Sequence, residues 1–226
     1  RQVQLIEQSY QRNCKVPEDI SVALAGLTSK SQHLWAQARA DEAVADFTPI
    51  LAEVVALRQQ EAAALADGTG LSSYDALLKD YEPDGSTAEI SKMFDALRSP
   101  MVALRSAVLE RPPAPELEGQ FDPQLQLKMS QELAECFGYN MAYGRIDRAV
   151  HPFCSGTGAD VRITTRTDPS DPLGCFYSTI HEVGHGNYEQ NIDQSYAFTP
   201  IGHGCSMGVH ESQSRIFENQ LGRSEA

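Results

Sequence analysis

The residues best equipped for chemistry stand side by side. His181, Glu182, Val183, Gly184 and His185 spell His-Glu-x-x-His. On a helix, positions four apart lie on one face, one turn above the other. His181 and His185 would then aim two imidazoles at one point, the bidentate grip a zinc ion requires. Glu182 beside them is a carboxylate able to take a proton from metal-held water. The bland alternative is two histidines that merely cap or line a helix. The surroundings favour the metal. Leu173, Phe176, Tyr177, Ile180 and Gly184 recur at helical spacing and predict a buried helix from about Pro172 to Glu189. The histidines fall at the edge of that apolar stripe, partly shielded from water.

Two histidines do not hold a catalytic zinc; three protein ligands plus water do. A metzincin would place Gly and His at positions 188 and 191, where this chain has Tyr188 and Asn191, so that class is excluded. The candidates for a third ligand are Glu189, His203, His210 and Glu211. Glu189 continues the face of the two histidines, and three successive turns of one helix converge poorly on one ion. A ligand from a second helix converges better. Cys205 to Leu221 reads as that helix, with Met207, Ser214, Phe217 and Leu221 inward and Glu211 beside the stripe. A lone Glu on an amphipathic helix is usually exposed. Yet Glu211 sits within His210-Glu211-Ser212-Gln213-Ser214, a density of small polar residues odd for a core helix. Cys154, Cys175 and Cys205 flank the region and read first as small buried hydrophobes, a thiolate ligand being the sharper alternative.

The elements that must position these groups come in two textures. Residues 1 to about 120 read as helix after helix. Pro17 opens one with Val22, Leu24 and Leu27 on its apolar side, and Leu34 to Arg39 reads as another. Phe47 to Leu65 is a longer one, stopped by Asp67-Gly68-Thr69-Gly70; Ser73 to Tyr81 is short. Ser86-Thr87-Ala88-Glu89 is a capping box opening a helix through Met93, Phe94, Leu97, Val102, Leu104 and Val108, with a kink expected at Pro100. Arg111-Pro112-Pro113-Ala114-Pro115 is a stiff connector. Asp122-Pro123 caps and starts a helix through Leu125, Leu127, Met129, Leu133 and Phe137. From Gly138 onward glycine, proline and β-branched residues rise. Arg145 to Val150 and Asp160 to Arg166 are expected as short strands, a small sheet walling the site.

Composition bounds the rest. The chain has 226 residues, 41% hydrophobic, enough for one large domain or two small ones. It has no run of eighteen apolar residues, so no membrane span is expected. A formal net charge of −13 disfavours nucleic acid as a partner. Five cysteines without a C-x-x-C pair suggest reduced thiols and a cytoplasmic protein. The start at Arg1 shows no initiator Met and no signal pattern, and both ends read as cuts inside a longer protein.

Four motifs in order carry a resemblance: His151-Pro152-Phe153, Asp160-Val161-Arg162-Ile163-Thr164, His181-Glu182-Val183-Gly184-His185 and His210-Glu211-Ser212-Gln213-Ser214. Together with Tyr74-Asp75-Ala76-Leu77-Leu78 and Asp80-Tyr81-Glu82-Pro83, they make the chain similar to a middle portion of the carboxypeptidase Taq family of metallopeptidases. The resemblance implies a mainly α, multi-helix, zincin-like metallopeptidase fold with a deep groove and a small β-sheet beside the active-site helix. It implies a homodimer and broad-specificity removal of single residues from peptide C-termini. It implies His181, His185 and Glu211 as metal ligands and Glu182 as the catalytic glutamate. Two family motifs, Ile-Arg-x-x-Ala-Asp and Gly-x-x-Gln-Asp-x-His-Trp, are absent from the 226 residues. The whole of 1–226 is accordingly expected as part of a single metallopeptidase catalytic domain, helical over 1–137 with the active-site region at 138–226.

The expected reaction is metal-assisted hydrolysis of peptides, with Glu182 as general base. Zinc is the expected ion; cobalt or manganese could substitute. A terminal carboxylate calls for a guanidinium, and Arg162 and Arg166 lie on a candidate strand beside the site. Arg162 is taken as a substrate contact, against structural pairing with Asp160 or Asp168. His151 either donates to an oxygen of the transition state or braces its loop through Pro152, and bracing is favoured. The rival functions are a non-catalytic helical interaction module and a zinc endopeptidase or aminopeptidase.

Overall fold

The structure, a computed structural model, describes residues 1–113, 115 and 117–225, and of Thr157 the backbone alone. The chain folds into two compact units, Arg1–Ser99 and Pro100–Ala226.

The first unit is helical. It contains α1 (Gln2–Asn13), α2 (Glu18–Ala40), α3 (Val44–Ala66), α4 (Ser73–Leu78) and the first half of α5 (Thr87–Leu109). The stretch Leu34 to Arg39, read as a separate helix, is the end of α2. The polar residues between Leu27 and Leu34 do not break it. Thr28 donates back to the Leu24 carbonyl at 2.7 Å and Ser31 to that of Thr28 at 3.0 Å, so their hydroxyls are satisfied within the helix. Leu24, Ala38, Ile50, Ala62, Leu65 and Ala76 are the buried apolar residues of this unit. Gly68 and Gly70 end α3 at φ +67° and +75°, where side chains are strained.

α4 stops at Leu78, short of the expected Tyr81. The capping box at Ser86 forms by half. Ser86 Oγ accepts from the Glu89 N–H at 3.3 Å, but the Glu89 carboxylate takes the Ser86 hydroxyl at 2.7 Å, not its backbone N–H. Asp75 instead accepts from the Thr87 N–H at 2.8 Å and its hydroxyl at 2.6 Å, tying α4 to the start of α5. α5 continues through Pro100 to Leu109 and buries none of its residues. The apolar residues along it, Met93, Phe94, Leu97, Val102, Leu104 and Val108, are exposed.

In the second unit, the connector at 111–115 includes Ala114, which lies outside the described residues. α6 (Pro123–Cys136) is capped by Asp122, which accepts from the Gln124 N–H at 2.6 Å. Its buried face is Gln126, Ser130 and Ala134, while Leu125 and Met129 are exposed. Specific partners make a polar stripe tolerable in the core. Gln126 donates to the Phe121 and Asp168 carbonyls at 2.9 and 2.7 Å, and Ser130 Oγ lies 3.4 Å from Cys175 Sγ.

The sheet has three strands where two were expected: β1 (Ile146–Arg148), β2 (Cys154–Thr157) and β3 (Asp160–Thr165), in the order β1-β3-β2. β1 runs parallel to β3 with Ile146 opposite Ile163; β2 runs antiparallel to it with Ser155 opposite Arg162. β2 gives no sequence signal because Cys-Ser-Gly-Thr carries neither alternation nor bulk. Val161 and Ile163 on β3 are fully buried. Ala134, Tyr139, Ile146, Ile163 and Val183 form the core between α6, the sheet and the long helix that follows.

That helix, α7 (Pro172–Gln190), starts with Asp171 accepting from the Gly174 N–H at 2.9 Å and Pro172 in its first turn. Its innermost stripe is Cys175, Thr179, Val183 and Gly186, together with Ile180 and Gly184. Leu173, expected inward, is exposed, because α6 and β3 pack against the neighbouring face. The region expected as a Cys205–Leu221 helix is α8 (Met207–Arg215) followed by a π-helical turn, Ile216–Leu221. Ser206 caps α8 by accepting from the Val209 N–H at 3.2 Å. Ser214 is fully buried and Phe217 packs on the core, but Met207 and Leu221 are exposed. Among the described residues, no helix is long and apolar enough to cross a membrane. All five cysteines are free.

Candidate metal centre

α7 places His181 and His185 one turn apart on one face, their ring centroids 5.0 Å from each other. α8 brings Glu211 against both. Its Oε2 lies 3.6 Å from His181 Nε2 and 3.2 Å from His185 Nε2. The three ligand atoms lie within 4.8 Å of one another. Tetrahedral zinc with bonds of about 2.1 Å sets ligand atoms about 3.4 Å apart. The two separations from Glu211 straddle that value, and two imidazoles with one carboxylate are a donor set zinc accepts. The residues present therefore fit a divalent cation.

The other candidates for a third ligand go elsewhere. Glu189 and His210 pair with each other, His210 Nε2 to Glu189 Oε1 at 2.8 Å. His210 Nδ1 lies 2.5 Å from His185 Nδ1, behind the ring and away from Glu211. His203 belongs to no metal-holding group among the described residues. Cys205 is exposed and accepts from the Tyr188 hydroxyl at 3.7 Å.

Glu182 faces the same cavity. It is only 6% exposed, and among the described residues its Oε2 has no hydrogen-bond partner. Burial, and secondarily the nearby Glu211 carboxylate, push its carboxyl up to about 7. Such a group exchanges protons readily at neutral pH, the property asked of a general base. Burial, then the neighbouring His210 and His181, bring His185 down to about 4, so its ring is neutral at pH 7, the form that binds metals.

The cavity in front of these groups holds about 490 Å³. His151 and Arg166 line it, as do Arg215 and Arg223. Arg162 does not: it is half-exposed on β3, where its Nε and Nη2 each donate to the Asp160 carboxylate at 2.8 Å. Of the two candidate arginines, the structure brings Arg166, just past the end of β3, to the cavity and leaves Arg162 in the alternative pairing.

One residue at the centre escaped the sequence reading. Glu218, in the π-helical turn, accepts from His181 Nδ1 at 2.9 Å, Arg215 Nη1 at 3.2 Å and Arg223 Nη2 at 2.9 Å. Its signal is spacing: Glu218 lies seven residues after Glu211, two turns along one helical face.

A family model described as carboxypeptidase Taq (M32) metallopeptidase matches residues 1–226. The chain is 36% identical over 228 residues to Thermostable carboxypeptidase 1 of Thermus thermophilus, covering 96% of this chain and 45% of that protein. It is 33% identical over 227 residues to Carboxypeptidase 1 of Bacillus subtilis, covering 99% and 45%. An M32 carboxypeptidase structure from Deinococcus radiodurans R1 matches it with a TM-score of 0.84 at 33% identity, again over 99% of this chain and 45% of that one. The chain spans about half the length of the curated relatives it matches. The mainly helical fold matches that structure over nearly the whole length of this chain, and the chain belongs to the carboxypeptidase Taq (M32) family of metallopeptidases.

Proposed function

We propose that this chain carries the metal centre of a carboxypeptidase that hydrolyses C-terminal residues from peptides with broad specificity. His181, His185 and Glu211 would hold the ion, and Glu182 serves as general base. The observation that carries the reading is convergence. Two imidazoles from α7 and a carboxylate from α8 meet at one point beside a buried glutamate with an unengaged oxygen. The names of the relatives supply the substrate class. Zinc is the ion this donor set suits best, and cobalt or manganese can occupy such a site.

When bound, the cation supplies Lewis acidity, polarising a peptide carbonyl and acidifying water. The chain's own residues do the rest. Glu182, held in a buried position, takes a proton from the attacking water and returns it to the departing amine. Its desolvation keeps the proton affinity near neutrality, so both transfers are within reach.

The test is elemental analysis of the purified chain beside a Glu211→Ala variant. One zinc per wild-type chain, largely lost in the variant, supports the ligand set. Full zinc retention by Glu211→Ala overturns it. Peptides with free and amidated C-termini then separate a carboxypeptidase from an endopeptidase, because only the endopeptidase cleaves both.

A further inference from the structure

We propose that Glu218 is a positioning residue: it selects the tautomer of His181 and locks the ring toward the metal centre, with Arg223 as its brace. The inference rests on the reading of His181, His185 and Glu211 as ligands.

A neutral imidazole carries its proton on either nitrogen, and only the bare nitrogen binds a cation. A carboxylate can only accept, so Glu218 Oε2, 2.9 Å from His181 Nδ1, draws the proton to Nδ1. The lone pair then lies on Nε2, the nitrogen 3.6 Å from Glu211. Glu218 does not compete for the ion, because it stands behind the ring and both its oxygens are engaged. Oε2 also accepts from Arg215 at 3.2 Å, and Oε1 from Arg223 at 2.9 Å.

Arg223 closes the device. Its guanidinium lies 3.7 Å over the Tyr177 ring, and Tyr177 is one turn before His181 on α7. Two positions on α7, Tyr177 and His181, are thereby clamped to Glu218 in the π-helical turn and to Arg223 just after it. The second histidine reaches the same tautomer by another path. Glu189 accepts from His210 Nε2 at 2.8 Å, which leaves His210 Nδ1 to accept from His185 Nδ1 at 2.5 Å. The lone pair of His185 thus also lies on Nε2, 3.2 Å from Glu211.

The experiment measures zinc affinity of the chain by chelator competition and the His181 tautomer by imidazole ¹⁵N shifts of the metal-free protein. Glu218→Ala should weaken zinc about 10–100-fold and move proton population from Nδ1 to Nε2 of His181. Glu218→Gln keeps an accepting oxygen and should restore the tautomer and part of the affinity. A folded Glu218→Ala variant with wild-type affinity and an unchanged His181 signal overturns the proposal. If Glu218→Ala does not fold, Glu218→Gln carries the test: affinity several-fold below wild type supports the role, and equal affinity overturns it. Glu211→Ala is the control. Loss of zinc there with none in the Glu218 variants removes only the positioning role. No loss in either removes the ligand reading, and this inference with it.

Discussion

Gly184 and Ser214 bring α7 and α8, the helices that carry the candidate ligands, into backbone contact: a Cβ on Gly184 would lie 2.6 Å from the Ser214 Cα and 2.7 Å from the Gln213 carbonyl oxygen. Neither atom is the end of a flexible side chain, so a methyl group there must push α7 and α8 apart. Gly184→Ala should cost about 1–3 kcal/mol of stability from overpacking. It should also weaken zinc binding, because His185 and Glu211 sit on opposite sides of the contact. Denaturant unfolding and chelator competition check both. Unchanged values for the two would mean the helices can separate freely.

Glu182→Gln separates holding the ion from using it. The variant should keep near wild-type zinc content, since Glu182 is not among the converging donors. In protein with measurable peptidase activity, kcat should fall about 10²–10⁴-fold, the usual range for a lost general base. Turnover at the wild-type rate would remove Glu182 from the mechanism.

Asp75 makes the first unit sensitive to acid. Hydrogen bonds from the Thr87 hydroxyl, Ser72 and the Thr87 N–H bring its carboxyl down from the ordinary 3.8 to about 2. A depressed native pKa favours the fold at pH values above the unfolded one, and that contribution fades as pH falls from about 4 towards 2. Asp75→Asn should therefore melt earlier than wild type at pH 7 and converge with it near pH 2. Parallel melting curves across that window would rule the linkage out.

Tyr139 acts at the other end of the pH scale. Only 2% exposed, it donates to the Val161 carbonyl at 2.5 Å, and burial pushes its phenol up to about 12. A raised native pKa gives stability that is complete below the unfolded value of about 10 and is lost as pH rises through 12. Tyr139→Phe should cost about 1–2 kcal/mol at pH 7 by removing the hydrogen bond and should blunt the alkaline loss. Chemical denaturation at pH 7 and pH 11 measures both.

Legibility followed the strength of local signals. The His-Glu-x-x-His spacing and the apolar period around it located α7 and two candidate donors, because helical period converts spacing directly into facing. Glu211 was readable as one of several candidates; which helix face meets α7 is a tertiary matter. The stripes of α6 and α7 were read in part: Ile180 and Gly184 are buried as expected, while Leu173, Leu125 and Met129 are exposed. Gln126, Ser130 and Thr179 enter the core through hydrogen bonds to backbone carbonyls and to Cys175, and apolar periodicity is blind to those. α5 forms as its capped, periodic start indicated, yet none of its residues is buried, so its apolar pattern reported the helix without reporting a core. Arg162 went to Asp160, two residues away on the same strand, a pairing that the Asp-x-Arg spacing allowed and could not decide.

The candidate donors come from two helices joined by a long connection, residues 191–206, that contains a short turn at Gln194–Tyr196 and the exposed Phe198 at φ +61°. An ion bridging His185 and Glu211 would close that connection into a ring, much as a reversible cross-link does. Its grip on the folded form follows mass action, reaching about 4 kcal/mol at a thousandfold excess over the dissociation constant. Chelation should then leave the segment around Phe198 the first place a protease nicks, and added zinc should seal it again.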